Sequence, residues 1–194
     1  MAVSFRQLAG IPPSTASVAD SVLLIVDAQG EYADGHLKVT NIATSRPALQ
    51  RLYERYRDAG GHVVHIVHQV APGTPVFTPG TALAAEFPEL QPKAGATNEP
   101  VVGKKFPGSF CQTELNDVLT KTGKKKVVIV GYMAHVCVST TAREASQHGY
   151  EVLIARDAIG DRDIPGATGE QVTDMVCHEL GDAFGTIINS EDVQ

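Results

Sequence analysis

The chain has 194 residues, of which 43% are hydrophobic, and this length matches one domain of ordinary size. Its 16 basic and 22 acidic side chains give a formal net charge of −6. This balance leaves no bulk positive charge to hold nucleic acid or an anionic membrane, so we expect neither as a partner.

The cysteines indicate a reducing compartment. Cys111, Cys137 and Cys177 are an odd number with wide spacing, and no Cys-x-x-Cys pair is present to bind zinc. Residues 1–20 lack the apolar stretch of a targeting segment, and every apolar run is far shorter than the ~20 residues of a membrane span. We therefore expect an N-terminal arm over residues 1–20, a single domain over residues 21–194 and a cytoplasmic location.

The first part of the chain alternates between strand and helix patterns. Val22–Val26 is a continuous apolar run that predicts a strand buried on both faces, and this run ends at Asp27. Apolar residues at helical spacing follow within residues 43–60, where two glycines mark the end of the helix. Residues 63–68 predict a second strand.

Residues 71–103 predict a long irregular segment, because they include six prolines and several glycines. One short helix is expected near residues 81–87. Irregular segments of this length in compact domains are usually functional or disordered. The alternation then resumes, with helices expected over residues 113–122, 139–148 and 170–180, and strands over residues 126–132, 151–155 and 186–188.

Strands that alternate with helices predict a doubly wound α/β fold. We expect a mostly parallel sheet with helices on both faces, which is a Rossmann-like three-layer sandwich. In such folds the ligand binds outside the carboxyl ends of the strands. The residues that directly follow each predicted strand are therefore the candidates for a functional site.

Cys137 lies just after the strand predicted over residues 126–132, at a junction with a helix. The unpaired N–H groups and the positive dipole end of a helix N-terminus favour a thiolate, which is the nucleophilic form of cysteine. The alternative is a buried structural cysteine, since free cysteine is among the most buried residue types. Cys111 and Cys177 have no motif around them and are expected to be structural.

Asp27 ends the first predicted strand, where partial desolvation raises the pKa of a carboxyl group toward values that suit a general base. The alternative is a turn former, which is common for Asp after a strand. Lys104 or Lys105 could supply a cation at this edge, although two adjacent lysines alone are more typical of a solvated surface.

Four segments between about Ser21 and Phe184 resemble the isochorismatase-like cysteine hydrolase superfamily in their order and spacing. Within it the chain is most similar to the streptothricin-hydrolase-like branch, through Glu31-Tyr32 and residues 135–143. The matching segments are Leu23-Leu24-Ile25-Val26-Asp27-Ala28-Gln29, Lys104-x-x-Pro107-x-Ser109-Phe110-x-x-Thr113-x-Leu115, Gly131-x-Met133-x-x-x-Cys137-Val138-x-x-Thr141-Ala142-x-x-Ala145, and Gly149-Tyr150-x-Val152 with Asp157-Ala158.

The resemblance implies a catalytic triad of Asp27, Lys104 and Cys137. Such a triad would cleave an amide C–N bond of a small-molecule substrate, with Asp27 as the base, Cys137 as the nucleophile and a thioester as the intermediate. No cofactor is implied. Relatives are commonly homo-oligomers, so we also expect a homo-oligomer.

The resemblance also has implications for the backbone around the nucleophile. It implies a cis peptide bond at Tyr132–Met133 and an oxyanion hole formed by the N–H groups of Met133 and Cys137. The chain departs from the family pattern at Ala134, where a threonine is usual. This departure weakens any inference of the substrate from relatives.

Two other functions remain open. Isochorismate is a vinyl ether, and its hydrolysis needs protonation of a vinyl carbon rather than acyl transfer, so Asp27 would then act as the acid. A catalytically silent member of the family would instead serve as a binding or assembly protein, and Ala134 leaves some room for that interpretation.

Several residues near the triad segments are expected to contact the substrate. Core packing is an equal alternative for the aromatic ones among them. These residues are Gln29, Tyr32, Phe77, Phe110 and His135.

A metal site is not expected. His65 and His68 are three residues apart on a predicted strand and so point to opposite faces. The Asp-x-His element of metal-containing relatives is also missing from the sequence. Asp157, Asp161 and Asp163 are expected to form a solvated loop near the mouth of the site rather than a Mg²⁺ site.

Overall fold

The computed structural model describes residues 2–194 and contains a six-stranded sheet in the order β3-β2-β1-β4-β5-β6. Every neighbouring pair of strands is parallel, which confirms the predicted doubly wound α/β fold. The strands are β1 (Ser21–Val26), β2 (His62–His68), β3 (Val101–Lys104), β4 (Lys126–Tyr132), β5 (Glu151–Gly160) and β6 (Thr186–Ile188).

Helices cover both faces of the sheet. In the part of the chain that the structure describes, no helix is long and apolar enough to cross a membrane. The helices are α1 (Phe5–Leu8), α2 (Glu31–Asp34), α3 (Ile42–Asp58), α4 (Leu115–Thr122), α5 (Ser139–Gln147) and α6 (Gly169–Ala183), with a π turn at Ala134–Val138.

The central strand β1 shows how the two faces are filled. All six of its residues are buried. Leu23 and Ile25 belong to the core on the face covered by α3, whereas Val22, Leu24 and Val26 belong to the core against α4, α5 and α6. Full burial of one such side chain contributes about 1.5–3 kcal/mol, so the uninterrupted apolar run is a direct requirement of a strand between two layers.

The order of the strands places a crevice beside β1. The chain moves from β1 to β2 and β3 on one side of the sheet, and then returns to β4, β5 and β6 on the other side. Where the direction of winding reverses, the connections after β1 and β4 diverge and leave a crevice at the carboxyl ends of these strands. The segments after Val26 and Tyr132 border this crevice.

The first part of the N-terminal arm packs against one edge of the sheet. The backbone N–H of Phe5 donates to Asp182 Oδ1 at 2.9 Å, and the N–H of Ser14 donates to Thr186 Oγ1 at 3.0 Å. The arm therefore lies against α6 and the edge strand β6. The domain boundary expected at residue 20 stays a prediction.

The segment over residues 71–103 differs from its prediction in two respects. Its last residues form the edge strand β3, which the sequence concealed because a four-residue strand with a central Gly103 has no clear apolar pattern. Residues 81–87, all within the described range, form turns and one isolated bridge instead of the expected helix, and a single 3-10 turn follows at Pro88–Leu90.

Backbone pairing holds this irregular segment against the start of α2. The N–H of Gly30 donates to the carbonyl of Ala85 at 2.9 Å, and the N–H of Phe87 donates to the carbonyl of Ala28 at 2.8 Å. The residues after β1 are therefore fixed from two sides, by the sheet and by the 71–100 segment.

Two buried polar contacts anchor the same segment to the sheet and to α3. Glu86 Oε1 lies 2.9 Å from His65 Nδ1, and the Tyr53 hydroxyl donates to Glu99 Oε2 at 3.0 Å. Burial raises the pKa of Glu86, and the contact with His65 partly opposes this shift. The partners make these buried polar groups tolerable in the interior.

Gly131, near the end of β4, supplies a stability test of the crevice. It has a φ of +110°, and a Cβ atom there would collide with the carbonyl oxygen of Val26. We expect Gly131→Ala to lower the free energy of unfolding by about 3 kcal/mol or more, because backbone strain and overpacking act together. Chemical denaturation measures this change.

The matched control is Gly149→Ala, where φ is +81° and the space around the new Cβ is open. This variant suffers only the strain of the left-handed backbone, and we expect a loss of about 1 kcal/mol. Equal losses in the two variants would contradict the close approach between β1 and β4.

Candidate active site

The carboxyl ends of β1, β3 and β4 bring Asp27, Lys104 and Cys137 together. Lys104 Nζ lies 2.7 Å from Asp27 Oδ2 and 3.4 Å from Cys137 Sγ. All three residues are buried, with Cys137 5% exposed and the other two 1% or less. The structure therefore assembles the three residues of the expected triad in one buried cluster.

The sheet explains why Lys104 rather than Lys105 enters the site. Lys104 is the last residue of β3 and its side chain is buried, whereas Lys105 is exposed. The Lys104 ammonium also donates to the carbonyl of Phe106 at 3.0 Å. Successive residues of a strand point to opposite sides, so only one of the two lysines can face Asp27.

Burial controls the charge state of Asp27. Desolvation raises the pKa of this carboxyl group, and the ammonium of Lys104 opposes the shift. Within residues 2–194, Oδ1 of Asp27 has no hydrogen-bond donor in good geometry. A carboxyl group with a raised pKa and a free oxygen is well placed to accept or to donate a proton.

Burial also controls the thiol of Cys137. It raises the pKa of this thiol to about 12, Asp27 adds to the shift, and Lys104 opposes it. The expected thiolate at a helix N-terminus is therefore not the resting form, because Cys137 lies in the buried π turn before α5 rather than at an exposed helix end. The sulfur must lose its proton during a reaction if it acts as a nucleophile.

The backbone is unusual at two points around the cluster. Asp27 has a φ of +49°, and its carbonyl accepts the N–H of Gln29 at 2.7 Å, which turns the chain sharply after β1. The Tyr132–Met133 peptide bond is cis. The oxyanion hole expected from the N–H groups of Met133 and Cys137 stays a prediction.

Tyr32 lies beside Cys137 and Asp27, and Phe77 packs against it, while contact of either ring with substrate stays a prediction. Their rings meet edge to face with centroids 5.3 Å apart, and both side chains are buried. Burial raises the pKa of Tyr32 well above its ordinary value, and the neighbouring Cys137 and Asp27 raise it further. Tyr32 thus presents a neutral hydroxyl next to the sulfur.

Gln29 and Phe110 both contact other residues of the protein. The side-chain amide of Gln29 is buried and forms hydrogen bonds with the backbone of His68 and with the carbonyl of Ala84. It thereby links the end of β2 to the 71–100 segment. Phe110 stacks on His148, with ring centroids 4.7 Å apart, at the end of α5 remote from Cys137. Both side chains make structural contacts within the protein, and a contact of either with substrate stays a prediction.

His135 is held by Asp161. The carboxylate Oδ2 of Asp161 lies 2.6 Å from His135 Nδ1 and accepts the His135 N–H at 2.9 Å. Asp161 follows β5 and is fully buried, so the expectation of a solvated acidic loop is wrong at this residue. The His135 side chain is 30% exposed and lines a cavity of about 790 Å³ between the π turn and α6. A substrate contact by His135 stays a prediction.

His68 is a site residue that the sequence analysis considered only as a metal ligand. It is the last residue of β2 and its Nδ1 lies 3.4 Å from Lys104 Nζ. The strand-end rule that selected Asp27 and Cys137 applies equally to His68 and could have identified it. Among residues 2–194, no cluster of three histidine, cysteine or acidic side chains is arranged to hold a metal ion.

The ion pair between Asp27 and Lys104 supplies a second stability test. Removal of one partner leaves the other charge buried and uncompensated, so we expect Lys104→Met to lower the free energy of unfolding by about 3–5 kcal/mol. The double variant Asp27→Asn/Lys104→Met removes both charges and should recover at least half of that loss. Chemical denaturation of the three proteins measures the coupling.

Lys105→Met is the control for this test, because Lys105 is exposed and lies next to Lys104 in the chain. We expect its unfolding free energy to stay within about 0.5 kcal/mol of the wild-type value. A double variant that is as unstable as Lys104→Met would contradict a dominant Asp27–Lys104 interaction.

Comparison with known proteins identifies the family of this chain. A model of the isochorismatase domain matches residues 21–192. The secreted isochorismatase effector Isc1 of Verticillium dahliae is 55% identical over 190 residues, which cover 98% of each chain. Streptothricin hydrolase of Streptomyces noursei is 33% identical over 147 residues, which cover 75% of this chain and 51% of that protein.

A solved structure supports the same assignment. The crystal structure of an isochorismatase from Pseudomonas putida superimposes with a TM-score of 0.93 and 27% sequence identity, and the match covers 100% of both chains. The resemblance found in the four sequence segments is thereby confirmed, and this chain belongs to the isochorismatase family of hydrolases.

Proposed function

We propose that this protein hydrolyses isochorismate or a closely similar vinyl ether, with Asp27 as the general acid. The observation that carries the proposal is the buried Asp27 carboxyl group, whose pKa is raised by desolvation. A raised pKa favours the protonated form that an acid catalyst needs. The relative from Verticillium dahliae, named as an isochorismatase effector, supports the choice of substrate.

Asp27 donates and then recovers the proton in this reaction. Its carboxyl proton passes to the terminal carbon of the vinyl group, and positive charge develops on the carbon that carries the ether oxygen. A water molecule adds to that carbon and returns a proton to the Asp27 carboxylate. The hemiketal then loses its hydroxyl proton and breaks its C–O bond to form a ketone, while the departing oxygen takes up a proton and leaves as an alcohol.

Lys104 has a defined part in this sequence of steps. Its ammonium lies 2.7 Å from Asp27 Oδ2 and stabilises the carboxylate once the proton has left. Cys137 needs no covalent role here, because protonation of the vinyl carbon and addition of water form no bond to sulfur. The sulfur then acts as a neutral wall of the site beside Tyr32.

The second candidate is amide hydrolysis through a thioester, which is favoured by the 3.4 Å contact between Lys104 Nζ and Cys137 Sγ. Asp27 takes the thiol proton while the sulfur attacks the amide carbonyl, and the N–H groups of Met133 and Cys137 hold the oxyanion. Asp27 gives the proton to the leaving amine. Water then cleaves the thioester and regenerates the thiol.

One set of variants separates the two reactions. With isochorismate we expect Asp27→Asn to lose about 1,000-fold or more in kcat/KM, because the acid is removed, and Cys137→Ala to stay within about 10-fold of wild type. Pyruvate release measures this turnover. With a panel of small amides and lactams the thioester route instead predicts that Cys137→Ala abolishes activity and that mass spectrometry detects an acylated Cys137.

The pH dependence gives an independent check. Acid catalysis by Asp27 predicts that kcat/KM falls as the pH rises, since the protonated carboxyl is lost. The thioester route predicts a rise with pH, since Asp27 must be ionised to take the thiol proton and burial raises the pKa of that carboxyl group. A complete loss of isochorismate turnover in Cys137→Ala would overturn the proposed vinyl ether mechanism.

Three expectations from the sequence stay predictions alongside this proposal. A catalytically silent binding protein would turn over neither class of substrate. The homo-oligomer is testable by light scattering coupled to size-exclusion chromatography. The cytoplasmic location contrasts with the relative from Verticillium dahliae, which is named as secreted, so cell fractionation must decide where the protein acts.

A further inference from the structure

His68 and Lys104 are direct neighbours in the sheet. They are paired in the parallel register of β2 and β3, as the last residues of their strands. Side chains at paired positions of neighbouring strands point to the same face, and here Lys104 Nζ lies 3.4 Å from His68 Nδ1. The contact follows from the register of the sheet.

The chemistry of the two groups fixes the tautomer of His68. A lysine ammonium can only donate hydrogen bonds, so Nδ1 of His68 must accept, and the proton of the neutral ring lies on Nε2. Burial lowers the pKa of His68 to about 4, and the charge of Lys104 lowers it in the same direction. The ring is therefore neutral over the range in which most enzymes work.

Lys104 has fewer N–H donors than there are acceptors around it. Its ammonium has three N–H bonds, whereas four acceptors surround it. Asp27 Oδ2 at 2.7 Å and the Phe106 carbonyl at 3.0 Å are the closer pair. His68 Nδ1 and Cys137 Sγ both lie at 3.4 Å and compete for the remaining N–H.

We propose that His68 is a positioning residue that competes with Cys137 for one N–H of Lys104 and thereby sets how readily the Cys137 thiol ionises. While the sulfur is protonated, the imidazole accepts the N–H. When negative charge develops on the sulfur, the N–H turns toward Sγ, because an anion is the stronger acceptor.

The surroundings of His68 hold it in place for this role. The side-chain oxygen of Gln29 accepts the backbone N–H of His68 at 2.8 Å, and the Gln29 amide donates to the carbonyl of His68 at 3.1 Å. The imidazole ring lies against Phe77, with centroids 5.1 Å apart. The buried Gln29 therefore holds the backbone of His68 in place.

The catalytic consequence rests on the proposed function, whereas the hydrogen-bond competition does not. In the vinyl ether reaction, an N–H held by His68 leaves the thiol neutral and keeps Lys104 close to Asp27. The titratable groups that contact Lys104 are Asp27, Cys137 and His68, and Tyr32 lies beside Cys137 and Asp27. A test without any substrate therefore separates failure of this inference from failure of the proposed function.

The test compares two variants through alkylation of Cys137 by iodoacetamide as a function of pH, followed for each cysteine by mass spectrometry. His68→Phe keeps a ring against Phe77 but removes the acceptor, which frees the Lys104 N–H for the sulfur. We expect Cys137 in this variant to react about 10-fold faster than in wild type at a given pH below its pKa, equivalent to a thiol pKa lower by about one unit.

His68→Asn is the matched control, because its side-chain oxygen lies near the position of Nδ1 and can still accept from Lys104. We expect its Cys137 rate to stay within about 2-fold of wild type. The exposed Cys111 serves as an internal reference and should react equally in all three proteins. Unchanged or slower alkylation in His68→Phe, or equal rates in the two variants, would overturn the proposal.

A measurement on the wild-type protein keeps the proposal testable if a variant does not fold. Nitrogen NMR of the histidine rings should show His68 with its proton on Nε2, and neutral until the pH approaches about 4. A ring with its proton on Nδ1 would sink the proposal, because Lys104 could not then donate to that atom.

Discussion

The site depends on one buried cation. Lys104 is only 1% exposed. Its ammonium lies between the Asp27 carboxyl group at 2.7 Å and the Cys137 sulfur at 3.4 Å. A charge in this position is stabilised by a nearby negative charge, and Asp27 and Cys137 are the two groups that can carry one. In the proposed vinyl ether reaction, the ammonium stabilises the carboxylate that forms when Asp27 gives up its proton. In the thioester route, a proton that moves from the sulfur to the carboxylate transfers the negative charge to the sulfur, which still lies beside Lys104.

The sheet supplies the rigidity that this arrangement needs. Asp27, Lys104 and Cys137 follow β1, β3 and β4, and β1 is the central neighbour of both β2 and β4. Lys104 is fixed directly by the parallel pairing of β3 with β2. Asp27 comes directly after the paired strand β1, and Cys137 lies in the π turn that follows β4. The paired strands therefore supply rigid starting points for the two segments that carry Asp27 and Cys137.

Much of the fold followed from the sequence, because strands buried on both faces read as continuous apolar runs such as Val22–Val26. The strand-end rule also located Asp27 and Cys137, whereas the choice of Lys104 needed the family resemblance.

The features that the sequence did not predict depend on tertiary surroundings. β3 is short and carries Gly103, so no pattern marks it. Gln29 and Phe110 lie near the triad in sequence but turn toward His68 and His148. The pKa of Cys137 depends on burial, which local sequence does not report.

The 71–100 segment is held at separated points, through Glu86 on His65, Glu99 on Tyr53, and backbone pairing beside Ala28 and Gly30. Between these points it has little regular structure, yet it places Phe77 against the site. The molecule thus separates two tasks that many enzymes combine. The carboxyl ends of the strands hold Asp27, Lys104 and Cys137 together, and the 71–100 segment, which is fixed at separated points, borders the site. Substitutions between these fixed points can change which molecules fit the site, while Asp27, Lys104 and Cys137 keep their positions. This is a physical route by which one fold diversifies its substrates.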